Sequence, residues 1–245
     1  MNIIVSSWPG AGATTLTLLL AKLLKKSLLQ GSYTFRYIQK NINIEDRIEK
    51  DDYVQTHWGP IYEKYIMHKV KTEDGLIVDS DITGFFVQQD NLISIFLYAD
   101  EFSRSRRLVT DKRDEDLAFL KSRDEYLKNK YKELFDVDFF DLAKIKNLYK
   151  IPIDNTSASI DDELRIVFAE LLNKHLISAQ EKNILDSEVD SEVKNYFEKG
   201  KEFYLKYLED NSKLQSGDEV LKEVARVLKD DIEKLPEDIK RVVLG

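Results

Sequence analysis

The chain contains no cysteine, which excludes disulfides, zinc-thiolate sites and cysteine nucleophiles. It has only 3 histidines, His57, His68 and His175, and their separations do not match metal-ligand spacing, so a zinc site is not expected. No apolar stretch is long enough to cross a bilayer. The chain opens on a core strand and an amphipathic helix rather than a signal peptide, and a cytoplasmic protein with no membrane partner is the expectation. Excess positive charge is also missing. A formal net charge of −8 argues against bulk nucleic-acid binding, which needs a basic surface to release counterions. No short-period repeat stands out. What remains, 245 residues with 42% hydrophobic and 33% charged side chains, suits one α/β domain with a sizeable core plus an appendage, or two small domains.

The start of the chain is the most informative stretch. Ile3, Ile4 and Val5 form an apolar run suited to a buried parallel strand. Pro9, Gly10 and Gly12 then make a tight loop, and from Thr14 a leucine stripe, Leu16, Leu19, Leu20, Leu23 and Leu24, predicts a core-facing helix. Strand, glycine turn and helix form the layout of a phosphate-binding loop, G-x-x-x-x-G-K-[ST]. Two positions depart from it: Ser7 stands for the opening glycine, and Ala13 for the lysine before Thr14. The loop of Pro9, Gly10, Ala11, Gly12, Ala13, Thr14 and Thr15 still favours a bound phosphate, because the helix dipole and the backbone N–H groups of every residue in it but Pro9 do not depend on lysine. Thr14 sits where a Mg²⁺ ligand is expected. Losing one oxyanion donor costs on the order of 3–4 kcal/mol of transition-state stabilisation, so catalysis here needs another cation.

Further along, Gly31-Ser32 marks a turn and Tyr33 to Ile38 reads as a second strand. Residues 42–70 read as helical pieces broken at Gly59-Pro60. Gly75 to Asp79, Leu92 to Tyr98 and Leu148 to Ile153 read as strands, and Ser159 caps a following helix. Alternating strands and helices imply parallel strands joined by right-handed crossovers. The resulting expectation is a three-layer α/β fold of the P-loop NTPase type, with about five parallel strands and a C-terminal helical extension. Such a fold brings the loop and Asp79 to one carboxyl edge of the sheet. Beyond Ile177 only helices are expected, near 188–209, 218–230 and 236–243, packing on the domain or on a partner.

Asp79 ends an apolar strand, as a Mg²⁺-organising acid does, although an aspartate there can equally cap a turn; the neighbouring loop tips the reading to magnesium. Arg104, Arg106, Arg107, Lys112 and Arg113 form a basic cluster, followed by Lys121, Arg123, Lys128 and Lys130. On charge pattern alone these form a solvated helix face paired with Asp111, Asp114, Glu115 and Asp116; the alternative is a lid whose arginines fold over phosphates. The aromatics around His57-Trp58 read as local core ahead of a base-stacking surface.

The loop Ser7-Trp-Pro-Gly-Ala-Gly-Ala-Thr-Thr resembles the G-x-P-G-S-G-K-[ST]-T of the cytidylate kinase-like nucleoside monophosphate kinases. The segment from Arg123 to Asp138, then Asp141 and Ile153-Asp154-Asn155-Thr156, is similar to that family's R-x-x-S-E-x-x-R-Y-x-x-x-Y-G-I-D and D-x-S-x-Y-D…I-D-T segments. Phe35-Arg36 looks like its F-R pair. The resemblance spans roughly residues 1–175, and 176–245 form a helical extension outside it. It implies an acceptor-binding region at about 38–72 and a lid at about 104–130. It further implies ATP and Mg²⁺ as cofactors and a nucleoside monophosphate such as CMP as substrate. Thr14 and Asp79 would serve the metal, Arg36 would face the acceptor phosphate, and Arg107, Arg113 and Arg123 would act from the lid. Asp81 lies where the family's I-E-G-R has a substrate-facing arginine. Two readings stay open: an active kinase with a rebuilt phosphate site, or a catalytically silent relative that binds a nucleotide or acts through its tail on a protein partner or a second copy.

Overall fold

Short apolar runs, each too brief to be a helix, build a single parallel sheet. A computed structural model describes residues 1–87, 89, 91–110 and 117–245. Its strands are β1 (Asn2–Ser7), β2 (Ser27–Gln30), β3 (Leu76–Asp79), β4 (Leu92–Tyr98) and β5 (Ile151–Asp154), in the spatial order β2-β3-β1-β4-β5. Every pairing is parallel, with Val5 opposite Asp79 and Ser7 opposite Leu97. Central β1 and β4 are buried along their whole length, as a sheet covered on both faces requires.

One face is covered by α1 (Ala13–Leu23) and α8 (Ile160–Asn173), the other by α2 (Gly31–Asn41) and α3 (Arg47–Thr72). The second strand is β2, not Tyr33 to Ile38. Leu28 and Leu29 look in sequence like a continuation of the α1 leucine stripe, but α1 ends at Leu23 and Lys25 takes a positive φ of 54° that turns the chain. Residues 31–41 instead form a helix that sends Ile38 into the second core. Nor does Gly59-Pro60 break the helix. Pro60 lies inside the 26-residue α3, and its missing N–H is tolerated because Val54, Trp58, Ile61, Tyr62, Tyr65 and Ile66 anchor both sides of it in the core.

After β3 comes the short α4 (Thr83–Phe86), and between β4 and β5 lie α5 (Glu101–Thr110), α6 (Leu117–Phe135) and α7 (Leu142–Leu148). A third apolar cluster, with Phe96, Tyr131, Phe139, Ile145 and Tyr149 at its heart, joins α6 and α7 to the sheet.

The segment after residue 176 folds into α9 (Ala179–Lys199), α10 (Lys201–Asp210), α11 (Gly217–Val227), α12 (Lys229–Ile232) and α13 (Glu237–Leu244). Its first two helices share the core of α1 and α8 through Val189, Tyr204 and Leu208; its last three share the core of α2 and α3 through Val224, Ile232 and Ile239. The crossing between the faces runs past the β2 edge, where Leu28 N–H donates to the Lys213 carbonyl at 2.6 Å. That contact caps an edge strand otherwise open to pairing with another chain. Val224 is fully buried, and Val224→Ala is expected to cost about 2 kcal/mol, lowering the melting temperature by about 4–8 °C in a thermal unfolding scan. Among the described residues no helix is long and apolar enough to cross a membrane.

Candidate functional site

The carboxyl ends of β1, β3, β4 and β5 meet along one edge of the sheet, and the loop 8–12 lies across it. Gly12 caps α1 with φ 99° and ψ 13°, and a Cβ built on it would meet nothing within 4 Å. Gly10 is also left-handed (φ 77°), but a Cβ there would sit 3.0 Å from the Arg104 carbonyl oxygen, so Gly10 faces the protein and Gly12 faces open space. Thr15 and Leu16 N–H groups both turn to the Gly12 carbonyl, at 3.0 and 3.2 Å, whereas the N–H groups of Gly12, Ala13 and Thr14 find no acceptor among the described residues. Three open donors at the positive end of an 11-residue helix suit a phosphate.

The loop is held by side chains from distant parts of the chain. Trp8 donates its indole N–H to the Phe139 carbonyl (3.1 Å) and stacks on Phe140. Arg104, almost fully buried on α5, makes a two-pronged pair with Asp124 of α6 (3.0 and 2.6 Å) and also donates to the carbonyls of Pro9 (3.0 Å) and Ala99 (3.1 Å). Its guanidinium lies over the Trp8 ring. Asn155, at the end of β5, donates to the Ala11 carbonyl (2.6 Å) and to Glu163 (2.7 Å), while Arg107 grips the Asn155 side-chain and backbone oxygens. Burial pushes the Glu163 carboxyl up to about 7, against the Asn155 hydrogen bond and the Arg107 charge that favour its ionised form.

Next to the loop lies an acidic cluster. The Thr14 hydroxyl donates to Asp79 Oδ2 at 3.2 Å, and Gln30 Nε2 donates to the same oxygen at 3.3 Å. Burial, and then the nearby Asp81 charge, push the Asp79 carboxyl up to about 6; the Gln30 and Thr14 hydrogen bonds and the Lys201 ammonium oppose them. Glu63 of α3 accepts from Ser80 (2.9 Å) and Thr83 (2.5 Å), and burial raises its carboxyl to about 7. Asp81 is solvent-exposed, accepts from the Tyr131 hydroxyl at 2.7 Å and feels the charge of Arg123. One carboxylate and one hydroxyl side by side suit Mg²⁺, which keeps most of its shell for waters and phosphate oxygens. Among the described residues no group of three or more acidic or imidazole side chains forms a ligand cage.

The structure thus brings Thr14, Asp79 and Asp81 together, with Arg123 near enough to act electrostatically on Asp81. Arg36 lies exposed on α2. Ala13 is buried in the apolar core beside α1. Arg107 is engaged by Asn155, and Arg104 is a fixed strut beneath the loop. Arg113, like Lys112, lies outside the described residues. Lys130 is bound to Asp52 (2.8 Å) and Thr56 (3.0 Å), fastening α6 to α3. Sequence reading missed Gln30, Glu63, Asn155, Glu163 and Lys201. Asn155 stands in the family-like Ile153-Asp154-Asn155-Thr156 stretch but was given no role there, and Glu163 acts through it; Gln30, Glu63 and Lys201 act on partners 17 or more residues away and stand in no motif.

No protein-family model matches the chain. It is similar to a cytidylate kinase of Pyrobaculum neutrophilum, 26% identical over 171 residues that cover 67% of this chain and 89% of the relative. It is likewise similar to a cytidylate kinase of Sulfolobus acidocaldarius, 23% identical over 186 residues, covering 73% of this chain and 98% of that one. For a cytidylate kinase of Methanosarcina acetivorans the identity is 28% over 165 residues, covering 63% and 87%. Among solved structures, an uncharacterized protein from Eubacterium ventriosum superimposes with a TM-score of 0.51 over 70% of this chain and 98% of its own, at 14% identity. In sequence the chain resembles cytidylate kinases, and in fold it is a three-layer α/β protein of the P-loop type with a five-stranded parallel sheet.

Proposed function

We propose that the protein is a nucleoside monophosphate kinase-like enzyme that transfers the terminal phosphoryl group of ATP to a nucleoside monophosphate, CMP being the first acceptor to try. The observation that carries this reading is the Thr14–Asp79 pair at 3.2 Å, beside a helix N-terminus with three open N–H groups. Bound there, ATP would supply the phosphoryl group and Mg²⁺ would neutralise its oxygens. The loop Pro9 to Thr15 would hold the donor phosphates through its open backbone N–H groups, those of Gly12, Ala13 and Thr14, and Thr14 and Asp79 would hold the metal. Arg36 and Asp81 face the acceptor, whose attacking phosphate oxygen needs no general base. Among the described lid residues Arg123 acts electrostatically on the acceptor-side acid Asp81, and Arg107 and Arg113 are the other lid arginines of this reading. Catalysis in this class is positioning plus charge neutralisation, which fits a site built on fixed N–H donors. Residues 1–175 are the kinase-like unit in this reading and 176–245 an addition to it.

A second reading, nucleotide binding without transfer, is favoured by Ala13 and by the internal partners that occupy Arg104 and Arg107. Titration calorimetry with ATP, with and without Mg²⁺, beside a coupled ADP assay over a panel of nucleoside monophosphates, separates the two. Binding with turnover of one monophosphate is the expected result. Binding without turnover selects the second reading, and no binding overturns both.

A further inference from the structure

The phosphate loop lacks its own lysine, and Arg104 and Arg107 beside it are tied into the framework. The segment after residue 176 supplies a different cation. Glu192 of α9 pairs with Lys22 near the C-terminal end of α1 at 2.5 Å, and Tyr196, one turn later, meets Thr15 at the N-terminal end of α1, hydroxyl to hydroxyl at 3.2 Å. Helix α9 therefore runs antiparallel to α1 and ends, at Lys199, beside the phosphate loop. Gly200 then takes φ 82° and ψ 168°, a conformation essentially reserved for glycine, and Lys201 opens α10. Helix α10 returns along α1, with Tyr204 and Tyr207 each 4.8 Å from the Lys22 ammonium. The elbow between the two helices is thus at the mouth of the loop, and Lys201 is its first residue. Half-buried, Lys201 acts electrostatically on Asp79, the same carboxylate that accepts from Thr14.

We propose that Lys201 is the cation of this phosphate loop: its ammonium, carried in by the α9–α10 elbow, takes over the phosphate contact that a lysine at position 13 would make. This rests on the nucleotide-binding reading above. A lysine ammonium is a compact charge with three donors on a flexible stem, so it can serve phosphate oxygens from outside the loop as well as from within it. The helical extension is then part of the site and not an independent appendage. Presentation from a separate segment also explains how position 13 can be a small core residue without leaving the phosphates without a positive partner.

The test uses the full chain and two probes, Mg-ATP and inorganic tripolyphosphate, titrated calorimetrically into the wild type, Lys201→Met, Lys201→Gln, Lys201→Arg and Lys199→Met. Lys199 is exposed, two residues away, and controls for net charge. Lys201→Met is expected to weaken both probes at least about 10-fold, Lys201→Arg to retain most of the affinity, and Lys199→Met to match the wild type. In turnover, Lys201→Met should lower kcat about 100- to 1000-fold, the usual effect of removing one phosphate-facing or oxyanion donor, with the acceptor KM little changed. If Lys201→Met folds poorly by circular dichroism, Lys201→Gln reads the same loss. Wild-type affinity and turnover in a folded Lys201→Met or Lys201→Gln would overturn the assignment while leaving the kinase reading intact. Failure of the wild type to bind either probe would overturn the kinase reading, and the assignment with it.

Discussion

Arg104→Ala should destabilise the protein by about 3–5 kcal/mol, because it removes one partner of a buried two-pronged ion pair and leaves Asp124 with an uncompensated charge. The carbonyls of Pro9 and Ala99 lose their donors in the same step, and the Trp8 ring loses the guanidinium stacked on it. For a chain of this size that corresponds to a fall in melting temperature of about 6–20 °C. The pair can be isolated with a double-mutant cycle: Asp124→Asn alone should cost nearly as much, and the double variant much less than the sum, since each single change strands the other's charge. Affinity for ATP should fall with stability, because Pro9 and the Arg104 backbone against Gly10 set the shape of the loop. An unchanged melting temperature, together with a large loss of turnover, would instead make Arg104 a phosphate-facing cation and refute its role as a strut.

This case also shows what could be read from the chain alone. The parallel sheet, the placement of the loop, Thr14 and Asp79 at one edge of it, and the helical nature of the C-terminal part were legible because each is local: a run of apolar residues, a glycine pair, a capping serine. Errors arose where local signals compete. Leu28 and Leu29 fit a helix stripe as well as a strand, and a four-residue strand gives periodicity too little length to decide. The alternation Tyr33 to Ile38 satisfies a strand pattern, yet the chain has just left the sheet and needs a helix to cover the second core. Pro60 sits in a helix whose burial outweighs one lost hydrogen bond. The site itself was only half legible. Whether Arg104 or Arg107 could stand in for the lysine depended on Asp124, 20 residues away, and on Asn155, 48 residues away. The approach of Lys201 to Asp79 spans a sequence separation that no motif encodes. Cations matter at this loop through where they are held, and that depends on tertiary pairing.

Asp79→Asn should abolish metal-dependent chemistry and, at neutral pH, stabilise the fold. The two effects have one origin. The Asp79 carboxyl titrates at about 6 in the folded chain, pushed up by burial and by Asp81, against an ordinary carboxylate value near 3.8 when unfolded. Between those values the folded state holds a proton that the unfolded state has lost, so stability falls as pH rises through this window, and the full penalty applies above about pH 6. An asparagine keeps the oxygen that accepts from Thr14 and Gln30 but carries no charge to desolvate. The expected gain is on the order of 1–3 kcal/mol at pH 8, shrinking to a few tenths at about pH 4 and vanishing only below about pH 3, where the wild-type carboxyl is protonated in both states. Thermal scans of the two proteins from pH 4 to pH 8 measure it directly. At pH 8, where the wild-type carboxyl is ionised, Mg²⁺ should tighten ATP binding to the wild type and not to Asp79→Asn, and turnover should be at least about 100-fold lower in the variant, which offers the metal no anionic oxygen. A variant that is less stable at pH 8 and still responds to Mg²⁺ would mean that Asp79 is a turn-capping residue and that the metal is held elsewhere. A variant that gains stability and loses the Mg²⁺ response would show that this buried charge is kept for the chemistry it performs, at a cost to the fold.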